Sequence, residues 1–230
     1  MSSAIEFNIA KVQQRIARAA KKYARDAGSV QLMAVSKTRS SDDIRLAAAA
    51  GIEHIGENYL QEALQKIHAL SDLHPLCWHF IGPIQSNKTR DIAEHFTWVH
   101  SVDRLKIAQR LSQQRPPHLP PLNICLQVNS SREPSKAGVT VEQLPALAAQ
   151  VEELSNIRLR GLMAIPAQTA DFSAQRAAFA PLAESFSWLQ QQHRDIDTLS
   201  IGMSNDMEAA IAEGATLVRI GSDIFGPRTP

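Results

Sequence analysis

Gln31-Leu32-Met33-Ala34-Val35-Ser36-Lys37-Thr38 reads as a short buried β-strand that ends in a lysine. The apolar run has the length of one strand, and Met33, Val35 and Lys37 share a face because side chains alternate along an extended chain. A cation at that end must be paired, solvated or used. An unpaired ammonium in apolar surroundings costs several kcal/mol to bury, or sheds its proton through a lowered pKa.

Outward from this strand the same unit recurs. Strands are expected at Val30 to Ser36, His54 to Glu57, Trp78 to Gly82, Trp98 to Val102, Asn123 to Val128, Leu159 to Ile165, Thr198 to Met203 and Leu217 to Ile220. Helical patterns lie between them. Ser41-Asp42-Asp43 precedes a helix ending at Gly51; Asn58, Asp103, Thr140 and Asp171 stand before four more, and Asn205 before one with Glu208 placed to complete a capping box. Arg115 to Pro121 is proline-rich but short, and reads as a rigid loop feeding the fifth strand. Eight β/α units in 230 residues predict a closed (β/α)8 barrel, a single domain over 1–230. The competing open doubly wound sheet lacks a Gly-x-Gly-x-x-Gly after the first strand.

Met1 to Ala27 adds an amphipathic outer helix, with Ile9, Val12, Ile16, Ala19 and Tyr23 at spacings of three and four. Glu6 and Asp26 count against a transit peptide, and no apolar run is long enough for a membrane span. A net charge of +1 gives no field that would select nucleic acid or an anionic membrane. Cys77 and Cys125 lie in apolar runs without ligand-like spacing and read as buried free thiols of a cytoplasmic protein. The eight histidines are scattered, so no metal site is expected and His79 reads as a packed or hydrogen-bonded strand residue.

Chemistry in such barrels sits at the C-terminal ends of the strands. Those ends carry Lys37, Asn58, Gly82, Asn129, Ile165-Pro166, Ser204-Asn205 and Gly221-Ser222. Lys37 can be a nucleophilic amine whose pKa desolvation lowers, or a lysine snorkelling to the rim. Ser204 and Asn205 suit helix caps, yet the loops after strands seven and eight are the recurrent phosphate site of these barrels, which favours an anion cradle with Gly221 and Ser222. Arg219 shares a strand face with Gly221 and needs an acceptor, either a carboxylate or a ligand heteroatom.

Ala34 to Thr38, Gly56 to Tyr59, Trp78 to Lys88, Gly161 to Ile165, Leu199 to Ser204 and Val218 to Gly221 together resemble the pyridoxal phosphate homeostasis proteins, relatives of the barrel domain of bacterial alanine racemase. The resemblance covers almost the whole chain. It implies a Schiff base between Lys37 and pyridoxal 5′-phosphate (PLP), a phosphate held by Ser204, Gly221 and Ser222, a pocket lined by Asn58 and Met163, and Arg219 facing the pyridine nitrogen. It further implies a cytoplasmic role in PLP and vitamin B6 homeostasis, by buffering or by delivery to PLP-dependent apo-enzymes. Arg39 and Ser222-Asp223 depart from the family's commonest pattern, a lysine and Thr-Ala; Ser222 keeps a hydroxyl, whereas Arg39 cannot form an imine. Lys136 matches a family lysine associated with a second cofactor molecule.

An arginine facing the ring nitrogen donates a hydrogen bond but no proton, which weakens the cofactor as an electron sink. Related racemases take a second base, a tyrosine, from a further domain of a partner subunit. The chain ends at Pro230, directly after strand eight, so that domain is not expected, and Tyr23 and Tyr59 are its only tyrosines. A monomeric PLP carrier without robust catalysis is therefore expected. The alternatives are a racemase-like enzyme on the same site and a cofactor-free Schiff-base aldolase acting on a phosphosugar.

Overall fold

A computed structural model describes residues 3–26, 28–73, 76–130 and 137–227. Eight parallel strands close into a barrel in chain order: β1 (Gln31–Val35), β2 (His54–Glu57), β3 (Cys77–Phe80), β4 (Trp98–Val102), β5 (Leu122–Gln127), β6 (Ile157–Met163), β7 (Thr198–Ser200) and β8 (Leu217–Ile220). The closing pair is β1 with β8, where Met33 is in register with Arg219. Between strands run α2 (Ser41–Ala49), α3 (Leu60–Ala69), α4 (Thr89–His95), α5 (Leu105–Gln114), α6 (Leu144–Glu152), α7 (Phe172–Gln192) and α8 (Met207–Ala212). A further helix, α1 (Ala4–Lys22), precedes the barrel, and α9 (Ser222–Phe225) follows β8. The eight units stand where the apolar pattern places them.

Alternation along each strand divides the protein into two interiors. Ala34, Ile55, Phe80 and Val99 face outward into the shell between strands and helices, with Ile44, Ala63, Ile92 and Ile107 among their helical partners. The inner face is unusually polar, holding Met33, His79, His100, Ser200 and Arg219, all buried. His79 bonds at 2.9 Å to both His54 and His100, the hydrogen-bonded strand residue its sequence context suggests. Outside, α1 buries Ile9, Val12 and Ile16 against α8 and α9, worth roughly 1.5–3 kcal/mol for each large side chain.

Several helix starts differ from those the cap-like residues suggest. Ser40, not Ser41, caps α2, accepting from Asp43 N–H at 3.1 Å while Asp43 accepts from Ser40 N–H at 3.2 Å. Asp103 pairs with Arg104 at 2.6 Å instead of capping α5. Val139 bridges Val128, so the chain after Thr140 makes one turn before α6 begins. Asp206 rather than Asn205 precedes α8, and Glu208 accepts from Lys22 at 2.7 Å on α1. Asp171 does cap α7, accepting from Ala174 N–H at 2.7 Å.

Candidate functional site at the barrel mouth

The strand ends enclose a cavity of about 640 Å³. Its walls include Lys37, Asn58, Ser204, Arg219, Gly221 and Ser222, six of the residues singled out in the sequence, together with Arg39, Ile165 and Asp206. Met163 is not among them. It is 1% exposed and in register with Ser200, one pleat below the rim, whereas Ile165, two residues on and 45% exposed, reaches the mouth. The apolar wall from that strand is therefore Ile165. Lys136 lies outside the described residues.

Lys37 follows the last residue of β1 on a heavily braced turn. Thr38 has a φ of +64°, which a β-branched residue rarely adopts, so the surroundings must hold it there. Its N–H donates to Glu62 Oε1 at 2.6 Å. Lys66 Nζ donates to the Ser36 carbonyl at 2.7 Å, to Glu57 Oε1 at 2.6 Å and to Glu62 Oε1 at 2.5 Å, and Ser36 Oγ donates to Glu57 Oε1 at 2.6 Å. The side chains of Glu57 and Lys66 are 0% and 6% exposed, and burial raises the Glu57 pKa against the opposing pull of Lys66 and Ser36. Both ends of the Lys37 backbone are thus fixed by a buried ion network. Spacing gave no sign of it, because Lys66 reaches back from the middle of α3 to the ends of β1 and β2.

On the opposite wall Ser222 Oγ donates to Ser204 Oγ at 3.2 Å, so the loops after β7 and β8 present paired hydroxyls. A Cβ at Gly221 would lie 3.2 Å from the Val35 carbonyl oxygen, and the glycine lets β8 pass close to β1 here. Arg15 of α1 donates to Asp223 and, at 3.1 Å, to the Ser204 carbonyl, tying the two loops together from outside. Arg39 donates to the Gly226 and Pro227 carbonyls at 2.5 and 2.8 Å, drawing the tail across the rim.

Arg219 takes its acceptors from Ser200 and the backbone, with no carboxylate bonded to it among the described residues. Its Nη1 donates to the carbonyl and hydroxyl of Ser200, the latter at 2.9 Å, and its Nη2 to the Ala164 carbonyl at 2.9 Å. Burial lowers its pKa to about 10, so it remains protonated at neutral pH. Asp206 attracts it from a distance while accepting from Met203 N–H at 2.5 Å. Asn58 does not cap α3; the residue lines the cavity, and its Oδ1 is buried with no hydrogen-bond donor among the described residues. Neither tyrosine lines the cavity: Tyr59 is 55% exposed, and Tyr23 donates to Glu208 on the outer surface.

Comparison with known proteins places this geometry. The sequence profile of the alanine racemase N-terminal domain matches residues 3–229. The pyridoxal phosphate homeostasis protein of Pseudomonas aeruginosa is 63% identical over 226 residues, covering 98% of this chain and 96% of that protein. Its Escherichia coli K12 counterpart is 50% identical, with 97% of each chain covered. The chain belongs to the pyridoxal phosphate homeostasis protein family, within the alanine racemase N-terminal domain class. Among solved structures, PipY of Synechococcus elongatus PCC7942 with PLP bound superposes with a TM-score of 0.80 at 41% identity, over 92% of this chain and 100% of that one. Alanine racemase from Corynebacterium glutamicum superposes with a TM-score of 0.70 over 95% of this chain and 62% of its own, at 15% identity, a likeness of fold alone. No helix among the described residues is long and apolar enough to cross a membrane.

Proposed function

We propose that this protein binds PLP at the barrel mouth, holds it covalently through Lys37 Nζ, and buffers or delivers it in the cytoplasm to PLP-dependent apo-enzymes without robust catalysis of its own. The carrying observation is the convergence of Lys37, the Ser204–Ser222 hydroxyl pair, Arg219 and Asn58 on one cavity. An amine, an anion cradle, a fixed cation and a side-chain amide suit a phosphorylated aromatic aldehyde, and the volume lies in the range of small-ligand sites.

When bound, the cofactor supplies an electrophilic aldehyde and a ring able to take up electron density. The braced turn at Ser36 to Thr38 aims Lys37 at the cavity. Ser204 and Ser222 donate to phosphate oxygens, and Arg15 keeps their loops in place. Arg219, protonated and donor-only, gives a hydrogen bond to a ring nitrogen but withholds a proton, which disfavours reactions that depend on deep electron withdrawal. With no tyrosine on the walls and Asp206 engaged by Met203 N–H, a second base opposite Lys37 is wanting among the described residues. Such a site holds rather than turns over, and a single chain suffices for it.

The purified protein should be yellow. Borohydride should erase the visible band and leave a phosphopyridoxyl mass on Lys37, and Lys37→Ala should show neither. A colourless protein that gains no band with added PLP would refute the binding, and Lys37-dependent turnover of single amino-acid enantiomers would replace the carrier reading with a racemase.

A further inference from the structure

At the foot of the barrel, away from Lys37, the parallel register gathers a second group of reactive side chains. His54 opens β2 in register with Cys77, the first residue of β3, and His79 lies two residues further along β3 on the same face. Their ligand atoms, two imidazole nitrogens and a thiol sulfur, all lie within 4.8 Å of one another. His54 Nδ1 and His79 Nε2 face each other at 2.9 Å. The geometry points to a metal site here, in which His54 Nδ1, Cys77 Sγ and His79 Nε2 bind a zinc-type ion. Two nitrogens and a thiolate suit a borderline-soft transition metal and not Ca²⁺ or Mg²⁺, which take oxygen ligands.

Three features support the assignment. The first is distance: Zn–N bonds of about 2.0–2.1 Å set two tetrahedral nitrogens about 3.3–3.4 Å apart, so the facing pair needs to open by only about half an ångström. The second is an outer shell already in place. The other nitrogen of His79 meets His100 Nε2 at 2.9 Å, and the other nitrogen of His54 meets the Gln31 side-chain amide at 2.6 Å, whose oxygen faces the ring once the amide is turned over. Such partners place the protons on the outer nitrogens and leave the facing lone pairs for the metal. Third, there is a way in: a cavity of about 720 Å³ beneath α1 is walled by Gln31, Glu53 and His54.

Coordination replaces the S–H bond of Cys77 with a metal–sulfur bond and releases that proton to solvent. The fourth position is left to water, and Glu53, which adjoins His54 in the chain and shares the wall of the same cavity, sets a carboxylate near the remaining positive charge. Cys77 and His79 share one face of β3, and sequence spacing does not announce the third ligand, because His54 joins them only through the β2–β3 register.

The test is titration of the reduced full-length protein, stripped of metal, with Co²⁺ and then Zn²⁺. One equivalent of Co²⁺ should give the visible bands of a four-coordinate ion and a thiolate-to-metal charge-transfer band, and Zn²⁺ should erase both. Cys77→Ser should lose the charge-transfer band, and Cys77→Ser and His54→Gln should each weaken Zn²⁺ binding about tenfold or more in competition with a chromophoric chelator. Both replacements are conservative, and His54 and Cys77 are only partly buried. The visible band of bound PLP should persist in both variants, which separates this test from that of Lys37. Absence of stoichiometric Zn²⁺ binding by the wild type, or variants that bind Zn²⁺ as tightly as it does, would overturn the assignment.

Discussion

Lys66→Met tests how strongly the buried ion network that braces the turn at Lys37 stabilises the fold. Lys66 Nζ bonds to Glu57, to Glu62 and to the Ser36 carbonyl, and the side chains of Lys66 and Glu57 are almost wholly out of water. Removing one partner of such a pair costs about 3–5 kcal/mol, because the other charge stays buried without compensation. The penalty should depend on pH in a fixed direction. Burial already places the folded-state Glu57 pKa above 4.5, and loss of the ammonium moves it higher. A carboxyl with a raised folded pKa binds more protons folded than unfolded between its two pKa values, so stability falls as pH rises through that window. In the variant the window extends upward, and acidification relieves the defect by at most about 1.4 kcal/mol per pH unit. Urea denaturation at several pH values between about 5.5 and 7.5 should therefore show a deficit that shrinks by up to about 2.7 kcal/mol toward acid. Adding Glu57→Gln should recover part of the loss at neutral pH, since the stranded charge is gone and an acceptor for Ser36 Oγ remains. A deficit under about 1 kcal/mol, in the range of a surface pair, or one that does not vary with pH, would refute the reasoning.

The remaining predictions concern the mouth. Ser204→Ala should weaken retention of PLP several-fold more than that of unphosphorylated pyridoxal, read by equilibrium dialysis; equal losses would leave Ser204 a merely structural loop residue. Arg15→Ala should reproduce that phosphate-selective loss more weakly, since its ion pair with Asp223 is half-exposed and an exposed pair contributes about 0.2–1 kcal/mol. Gly82→Ala would set a Cβ 2.0 Å from the Asn58 carbonyl oxygen, a backbone atom with no room to yield. It should cost stability by about 1–3 kcal/mol and reduce PLP retention through displacement of Asn58, both measurable on one purified variant.

The barrel and most of its mouth were legible because both follow from periodic patterns: apolar strands alternating with amphipathic helices, and chemistry at strand ends. Lys37, Asn58, Ser204, Arg219, Gly221 and Ser222 meet at one cavity for that reason. Ile165, named among the strand ends, reaches the cavity, whereas Met163, which only the family resemblance put forward, lies one pleat below its rim. Helix starts were less legible. Asp103 is drawn to its chain neighbour Arg104 and Glu208 to Lys22 on α1, and in each case an ion pair takes the carboxylate from the cap. The Lys66 network and the His54–Cys77–His79 group were not legible at all, since their members come together only through helix-to-strand packing and strand register.

The cavity's charge connects these elements. Among the described residues its walls carry Lys37, Arg39 and Arg219 against the single carboxylate Asp206. A carboxylate bonded to Arg219 would have cancelled its charge within the protein. Two carbonyl oxygens and a hydroxyl, all uncharged, take some of its five donors instead and leave its charge uncancelled at the mouth. The same charge, with burial, drives the His100 pKa to about 3, so no imidazolium beneath the cavity competes for an anion. A phosphate ester carrying about −1.5 to −2 charges at neutral pH offsets most of the excess, which the uncharged aldehyde alone cannot do. Retention should therefore follow phosphate more than ring, and a protein built that way discriminates the phosphorylated cofactor from its precursor by electrostatics. On the proposed function, Arg219 would then have two effects from one position: drawing the anion in and, by withholding a proton, keeping a held ring chemically quiet.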